Sequence, residues 1–138
     1  MNELTFMEFP PALLRLGTVS AGVWRQGRWS MTIDGIAGWC VATTVPSGVC
    51  VGCEVDVAPI DGRWLEQACL WLMSLRGETD DALWLDAANA LVFVRRHDIA
   101  AGSTSLRASL EQQVAIARWL GAHHATLKEA PRAAWRST

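Results

Sequence analysis

The feature that most constrains the fold is a change of hydrophobic period in the C-terminal half of the chain. Apolar side chains recur at helical spacing over residues 64–75 and again over residues 106–120, just before Gly121. Between these runs, residues 82–86 and 90–96 alternate as two short strands joined by a tight turn. Because one face repeats about every 3.6 residues in a helix and every two in a strand, this segment is predicted to form a helix, a β-hairpin and a second helix that ends at Gly121.

Three further strands are predicted upstream, over residues 28–33, 37–45 and 49–57. Asp34-Gly35 and Pro46-Ser47-Gly48 supply the turn residues between these strands, and Pro11 suits the first turn of a short N-terminal helix. Asp61 can cap the helix that begins near residue 63. The resulting order, α-βββ-α-ββ-α, predicts an α+β domain in which helices cover a twisted antiparallel sheet.

The composition bounds the class of protein. Of the 138 residues, 51% are hydrophobic and 19% charged, which suits one folded domain. We predict that this domain spans residues 1–124 and that residues 125–138 form a loose tail. The net charge is −2 and the largest basic cluster is Arg95-Arg96, expected to be a solvated strand end, so nucleic-acid binding is not expected. No secretory signal and no apolar run of ~18 residues is visible, so we expect a cytoplasmic protein without a membrane partner.

Four cysteines raise the question of a metal or redox site. Cys50 and Cys53 form a CxxC motif, and His123-His124 offers two further ligands. However, residues 49–57 alternate as a strand, and residues three apart on a strand point to opposite faces. We therefore expect reduced, mostly buried thiols and no bound metal, with a thiol- or metal-dependent protein as the less favoured alternative.

The sequence shows no recognisable arrangement of catalytic residues. Serines near glycine lack the G-x-S-x-G frame, and no glycine-rich loop between a strand and a helix suits a phosphate. Glu54 and Asp56 share one strand face, which is expected to be solvated. The chain is therefore predicted to be a binding protein rather than an enzyme, and to need no cofactor.

Eight tryptophans and no tyrosine are unusual in a chain of this length. Most of them are expected in the core, but tryptophan also suits interfaces because it joins a large apolar area to a polar tip. The helix predicted over residues 63–76 is apolar around much of its circumference, so it must be buried on more than one side. One side suits the sheet and the other suits a second copy of the chain. The residues predicted at this dimer interface are Trp64, Leu70, Trp71, Met73 and Trp84.

The hairpin and the last helix together resemble a known family. Residues 83–96 combine a leucine-rich strand, an Asp-led turn, an apolar strand and a basic pair, and residues 106–120 form a helix with Trp119 near its end. This pattern resembles the class I type III secretion chaperones, the small acidic Tir-chaperone-like family of Gram-negative bacteria. The resemblance implies a homodimer that binds the N-terminal segment of a secreted effector and keeps it competent for secretion.

The surface for such a segment is predicted on the N-terminal helix and the first strands. There, apolar side chains accompany a strand edge that can accept an added strand. The predicted effector-binding residues are Leu13, Leu14, Leu16, Trp24, Trp29 and Met31. Trp24 is the most diagnostic of them, because it precedes the regular strands. The alternative with the same fold is a regulatory module that sequesters a regulator of the secretion system instead of delivering cargo.

Overall fold

The computed structural model describes residues 8–44, 47–57, 62–74, 80–86 and 90–123. The elements within these ranges are α1 (Pro11–Leu14), β1 (Val19–Arg25), β2 (Arg28–Ile33), β3 (Ile36–Thr44), β4 (Ser47–Val55), α2 (Gly62–Ser74), β5 (Asp80–Leu85), β6 (Leu91–His97), a 3-10 turn (Ile99–Ala101) and α3 (Ser103–Ala122). The predictions for Asp61, for the hairpin turn at 87–89 and for the tail at 125–138 lie outside the described residues.

The strands form one six-stranded antiparallel sheet in the order β1-β2-β3-β4-β6-β5. This confirms the predicted α+β class and the antiparallel sheet with helices, and each of the five predicted strands is found within two residues of its expected bounds. The prediction of three strands before the long helix was wrong, because β1 precedes them. The meander therefore has four strands, and β1 is one edge of the sheet.

Two tight turns fix the register of the first three strands. Gln26 and Gly27 have φ of 57° and 80°, and Asp34 and Gly35 have φ of 50° and 84°. Two consecutive residues in the left-handed region are typical of the two-residue hairpin turn whose twist matches that of the strands. The predicted turn at Asp34-Gly35 is confirmed, and the equivalent turn at Gln26-Gly27 joins β1 to β2.

The helices pack on one face of the sheet, which we call the helix face. Along each strand, every second side chain points to the helix face. These side chains form one core with side chains from all three helices. From the sheet, this core includes Met31, Ile33, Cys40, Val49, Val51, Cys53, Val55, Leu91 and Phe93; from the helices, it includes Leu13, Trp64, Ala68, Leu106, Leu110, Val114, Ala117 and Leu120. We call the opposite face the open face, because none of the described helices covers it.

The last helix continues through Gly121 to Ala122, so the prediction that it ends at Gly121 was wrong. Gly121 instead lets the helix backbone lie close to the backbone of Asp56, because a Cβ built at Gly121 would lie 3.2 Å from the Asp56 carbonyl oxygen. Near this end of α3, the Trp119 ring stacks between the rings of Trp71 and His123, with centroids 4.0 Å and 4.2 Å away. The stack joins α2 to α3.

A buried polar network fastens α3 to the sheet. Arg95 is only 1% exposed, so the expectation that it forms a solvated strand end was wrong. Its guanidinium donates to both carboxylate oxygens of Asp81, at 2.7 Å and 2.9 Å, and to two acceptors on α3, the Ser109 carbonyl at 3.0 Å and Gln112 Oε1 at 2.8 Å. A buried charge needs such complete pairing, since its desolvation is otherwise too costly.

His97 belongs to a second, neighbouring part of this network. Gln113 Nε2 donates to the carbonyls of Val51 at 2.7 Å and Phe93 at 3.1 Å. The Gln113 Oε1 atom is therefore the acceptor in its 2.6 Å contact with His97 Nε2, so the neutral imidazole carries its proton on Nε2. The His97 Nδ1 atom is buried and has no partner among the described residues.

The stability of the fold is expected to fall on mild acidification because of His97. Burial is the main cause that lowers the pKa of His97, and the charge of Arg95 lowers it further, against the opposing effects of Gln113 and Asp81. In the window below the unfolded-state value of about 6.5, the unfolded chain binds more protons than the folded chain. The free energy of unfolding therefore decreases as the pH falls from about 7 towards the lowered pKa. Denaturant titrations at several pH values measure how the free energy of unfolding depends on pH. This dependence should be weaker in His97→Gln, and an equal dependence in the two proteins would contradict the prediction.

Candidate functional site

Among the described residues, no strand pairs with the outer side of β1, which is therefore one edge of the sheet. Thr18 accepts a backbone hydrogen bond from Asp34 N at 2.9 Å, so the Thr18 carbonyl points towards β2. Because backbone groups alternate along an antiparallel strand, those of Ser20 also point towards β2, and those of Val19 and Ala21 point outward. An extended segment can pair with these outward N–H and C=O groups. We call this strand edge, from Val19 to Ala21, the β1 edge.

A bulge follows the regular part of β1. The register with β2 shifts between Ala21 and Trp24. Within the bulge, the Ser30 hydroxyl accepts from Val23 N at 2.8 Å and donates to the Val23 carbonyl at 3.3 Å. The side chain of Ser30 thus replaces the missing backbone pairing, and Val23 is left 53% exposed. An added strand can therefore pair regularly with the outer side of β1 only before the bulge.

The six residues predicted to bind an effector divide into two groups. Leu13, Leu16 and Met31 are at most 4% exposed and belong to the core, so they do not form a contact surface. Leu14 is 47% exposed on α1, which packs beside β1. Trp24 and Trp29 are half-buried and lie on the helix face next to Phe9. The Trp29 ring lies 5.7 Å from both the Phe9 and the Trp24 ring, in edge-to-face geometry.

The five residues predicted at a dimer interface also divide. Trp64 is fully buried in the core, and Trp71 is half-buried in its stack on Trp119. Leu70, Met73 and Trp84 are exposed, Met73 by as much as 81%. Trp84 lies on β5, which is the opposite edge of the sheet from β1. Leu14 therefore lies beside one edge strand, and Trp84 stands on the other.

An aromatic cluster that was not predicted from the sequence lies on the open face. The Arg28 guanidinium carbon is 4.8 Å from the centroid of the Trp39 ring and 5.1 Å from that of Trp84, and the two rings meet edge-to-face at 5.6 Å. Gly52 leaves room for the Trp39 indole, since a Cβ there would come within 2.5 Å of the ring. These residues stand on β2, β3 and β5, so only the sheet order brings them together.

The CxxC motif does not form a shared thiol site. Cys53 faces the helix side and is fully buried, whereas Cys50 lies on the open face and is half-buried, as the strand alternation predicted. Burial raises the pKa of both Cys40 and Cys53 to about 12. Among the described residues, no three His, Cys, Asp or Glu side chains lie close enough together to hold a metal ion. His124, one of the ligands considered, lies outside those residues.

Thiol reactivity should follow this burial. Cys69 is exposed on α2 and should react first with a thiol reagent at neutral pH, followed by half-buried Cys50. Cys40 and Cys53 should react only at the rate of unfolding, because they are buried and protonated. Mass spectrometry after timed labelling in the absence and presence of denaturant measures the order. Labelling of Cys53 as fast as that of Cys69 would contradict it.

Searches of protein-family models, of curated proteins and of solved structures found no significant match to this chain. In the described part of the structure, none of the helices has the length and apolar character needed to cross a membrane. The resemblance to secretion chaperones therefore stays a prediction. The features of this chain that bear on its function are the edges and faces of its sheet.

Proposed function

We propose that this chain is a non-catalytic chaperone of the type III secretion class, which holds an extended segment of a secreted partner by adding it as a strand to the β1 edge. The observation that carries the proposal is the outward backbone of Ala21, an exposed residue of β1, beside exposed apolar side chains. Backbone pairing supplies affinity in strand addition, and flanking side-chain contacts supply specificity.

The surroundings of the β1 edge suit an apolar segment. Leu14 and Val23 are about half exposed, and Trp24 offers part of its ring beside them. A captured segment must gain apolar contacts and hydrogen bonds together, because ordering it costs conformational entropy. A strand added here would alternate between the helix face, which carries Trp24, and the open face, which carries the aromatic cluster around Arg28.

The proposal is tested by removing one outward donor. Ala21→Pro deletes the Ala21 N–H, and proline is tolerated where that group faces solvent at a sheet edge. Ala21→Thr is the matched control, since it keeps the N–H. Peptides of about twelve residues, drawn from the N-terminal segments of candidate effectors, are measured by fluorescence anisotropy. We expect binding to the wild type and to Ala21→Thr, and about tenfold weaker binding to Ala21→Pro; equal binding by all three proteins would contradict strand addition at this edge.

We further propose that a second copy of the chain binds at the other end of the sheet, through α2 and β5. The exposed side chains Leu70 and Met73 follow one side of α2, while Trp84 and Leu85 are exposed on β5. Exposed apolar side chains of this size are typical of interfaces. A dimer of this kind leaves the β1 edge of each copy free for cargo.

A charge on α2 should break this dimer. Met73→Glu places a carboxylate at the most exposed apolar position of the helix, so it should convert the dimer to a monomer with little loss of folded stability. Leu14→Glu, an exposed apolar position at the other end of the sheet, is the control and should stay dimeric. Light scattering with size-exclusion chromatography measures the mass. A wild-type protein that is monomeric at micromolar concentration would contradict the proposed dimer.

A further inference from the structure

Two arginines face each other at the end of the β1–β2 hairpin. Arg25 and Arg28 are direct cross-strand partners, so their side chains lie on the same face, which is the open face. Within the part of the chain that the structure describes, neither guanidinium has a hydrogen bond or an ion pair. Like charges directly opposite each other on a sheet are destabilising, and an anion between them would relieve this repulsion.

The aromatic cluster holds one of these guanidinium groups in place. Arg28 lies over the rings of both Trp39 and Trp84, which limits its rotamers without using its N–H groups. Its N–H groups make no hydrogen bond to the described residues, so they can donate to a planar acceptor such as a carboxylate. The neighbouring Trp39 Nε1 atom is buried and also has no partner among the described residues. The site is therefore rich in donors that have no acceptor.

A cavity of about 320 Å³ opens beside these donors. It is lined by Arg25, Arg28 and Trp39, which stand on the first three strands, and by Glu54 and Asp86. Asp86 already accepts a hydrogen bond from Ala90 N at 2.9 Å. Glu54 is exposed and has no polar partner among the described residues, and both its carboxylate and that of Asp86 are expected to oppose an anion in this cavity.

We propose that the segment bound at the β1 edge carries an aspartate or glutamate on its open-face side, and that this carboxylate binds between Arg25 and Arg28. The inference rests on the proposed strand addition, because a strand paired with β1 directs alternate side chains to the open face, where Arg25 of β1 also lies. The bound segment is thus expected to have apolar side chains towards the helix face and an acidic side chain towards the open face.

The test uses synthetic peptides of about nine residues, the length of an ordinary strand, with alternating valine and serine. One open-face serine at a time is replaced by Asp, Asn or Lys, and affinity is measured by fluorescence anisotropy at low and high salt. We expect the best Asp peptide to bind about tenfold more tightly than its Asn counterpart, with the gap closing at high salt. Lys should bind most weakly.

Variants separate this inference from the function on which it rests. Arg25→Gln, at an exposed position, should remove most of the preference for Asp over Asn while leaving Asn binding unchanged, and Glu54→Gln should enlarge that preference. If the wild type bound the Asp and Asn peptides with equal affinity, the proposal of an acidic partner would be overturned, and that of strand addition would stand. Absence of binding by every peptide would overturn both.

Discussion

Arg95→Met is expected to destabilise the folded protein by about 3–5 kcal/mol. Arg95 is 1% exposed, and its four donated hydrogen bonds join β6 to β5 and to α3. The substitution keeps much of the apolar volume but takes the guanidinium away from the Asp81 carboxylate, whose side chain is itself only 19% exposed. Removing one member of a buried ion pair leaves the other without its compensating charge, so the cost far exceeds the net value of the intact pair.

A matched control exists in the same chain. Arg118 forms an ion pair with Asp34 at 3.1 Å, but the Arg118 side chain is 54% exposed. Arg118→Met should therefore cost less than about 1 kcal/mol, since exposed pairs contribute little. Chemical denaturation monitored by tryptophan fluorescence gives both free energies of unfolding. If Arg95→Met proved as stable as Arg118→Met, the buried network would not fasten α3 as we describe.

Gln113→Leu is expected to cost about 2–4 kcal/mol of stability, although it replaces a polar side chain in the core by an apolar one of similar size. Gln113 is completely buried, and its loss leaves the carbonyls of Val51 and Phe93 and the Nε2–H of His97 without this partner. A buried donor that loses its acceptor keeps the full cost of desolvation, and here that donor is the Nε2–H of His97.

Glu111→Leu is the control for this substitution, because Glu111 is exposed on the same helix and leucine is an equally good helix former. Its free energy of unfolding should stay within about 0.5 kcal/mol of that of the wild type. Thermal or denaturant unfolding compares the two variants. A Gln113→Leu protein more stable than the wild type would show that the amide is not the link between α3 and the sheet.

The sequence predicted those strands whose alternation is regular, and it missed the one whose alternation is broken. In β1, Gly22 and the shift of register between Ala21 and Trp24 interrupt the period of two. The turn that would have revealed it, Gln26-Gly27, lacks the Asn or Asp that marks such turns, whereas Asp34-Gly35 has it. The edge of the sheet, and with it the position of the proposed cargo site, therefore became visible only in the structure.

The candidate sites depended even more on contacts between distant residues. Arg28, Trp39 and Trp84 meet across the open face although β4 and β6 lie between β3 and β5, a contact that periodicity along the chain does not specify. Likewise, Arg95 at a strand end reads as a solvated charge until α3 is placed over it. Helical and strand periods predicted which face of an element is apolar, but not which charged side chain on that face would be buried with partners.

The central claim is that a partner segment pairs with the β1 edge, and backbone amide hydrogen exchange tests it most directly. In the free protein, the outward N–H of exposed Ala21 should exchange quickly and that of Val19, a residue only 6% exposed, more slowly, since both groups point away from β2. A bound acidic valine–serine peptide should slow their exchange by at least about tenfold, and the already bonded N–H of Val23 should change less. Unchanged exchange at Val19 and Ala21 under saturating peptide, with new protection along β5 instead, would contradict the account.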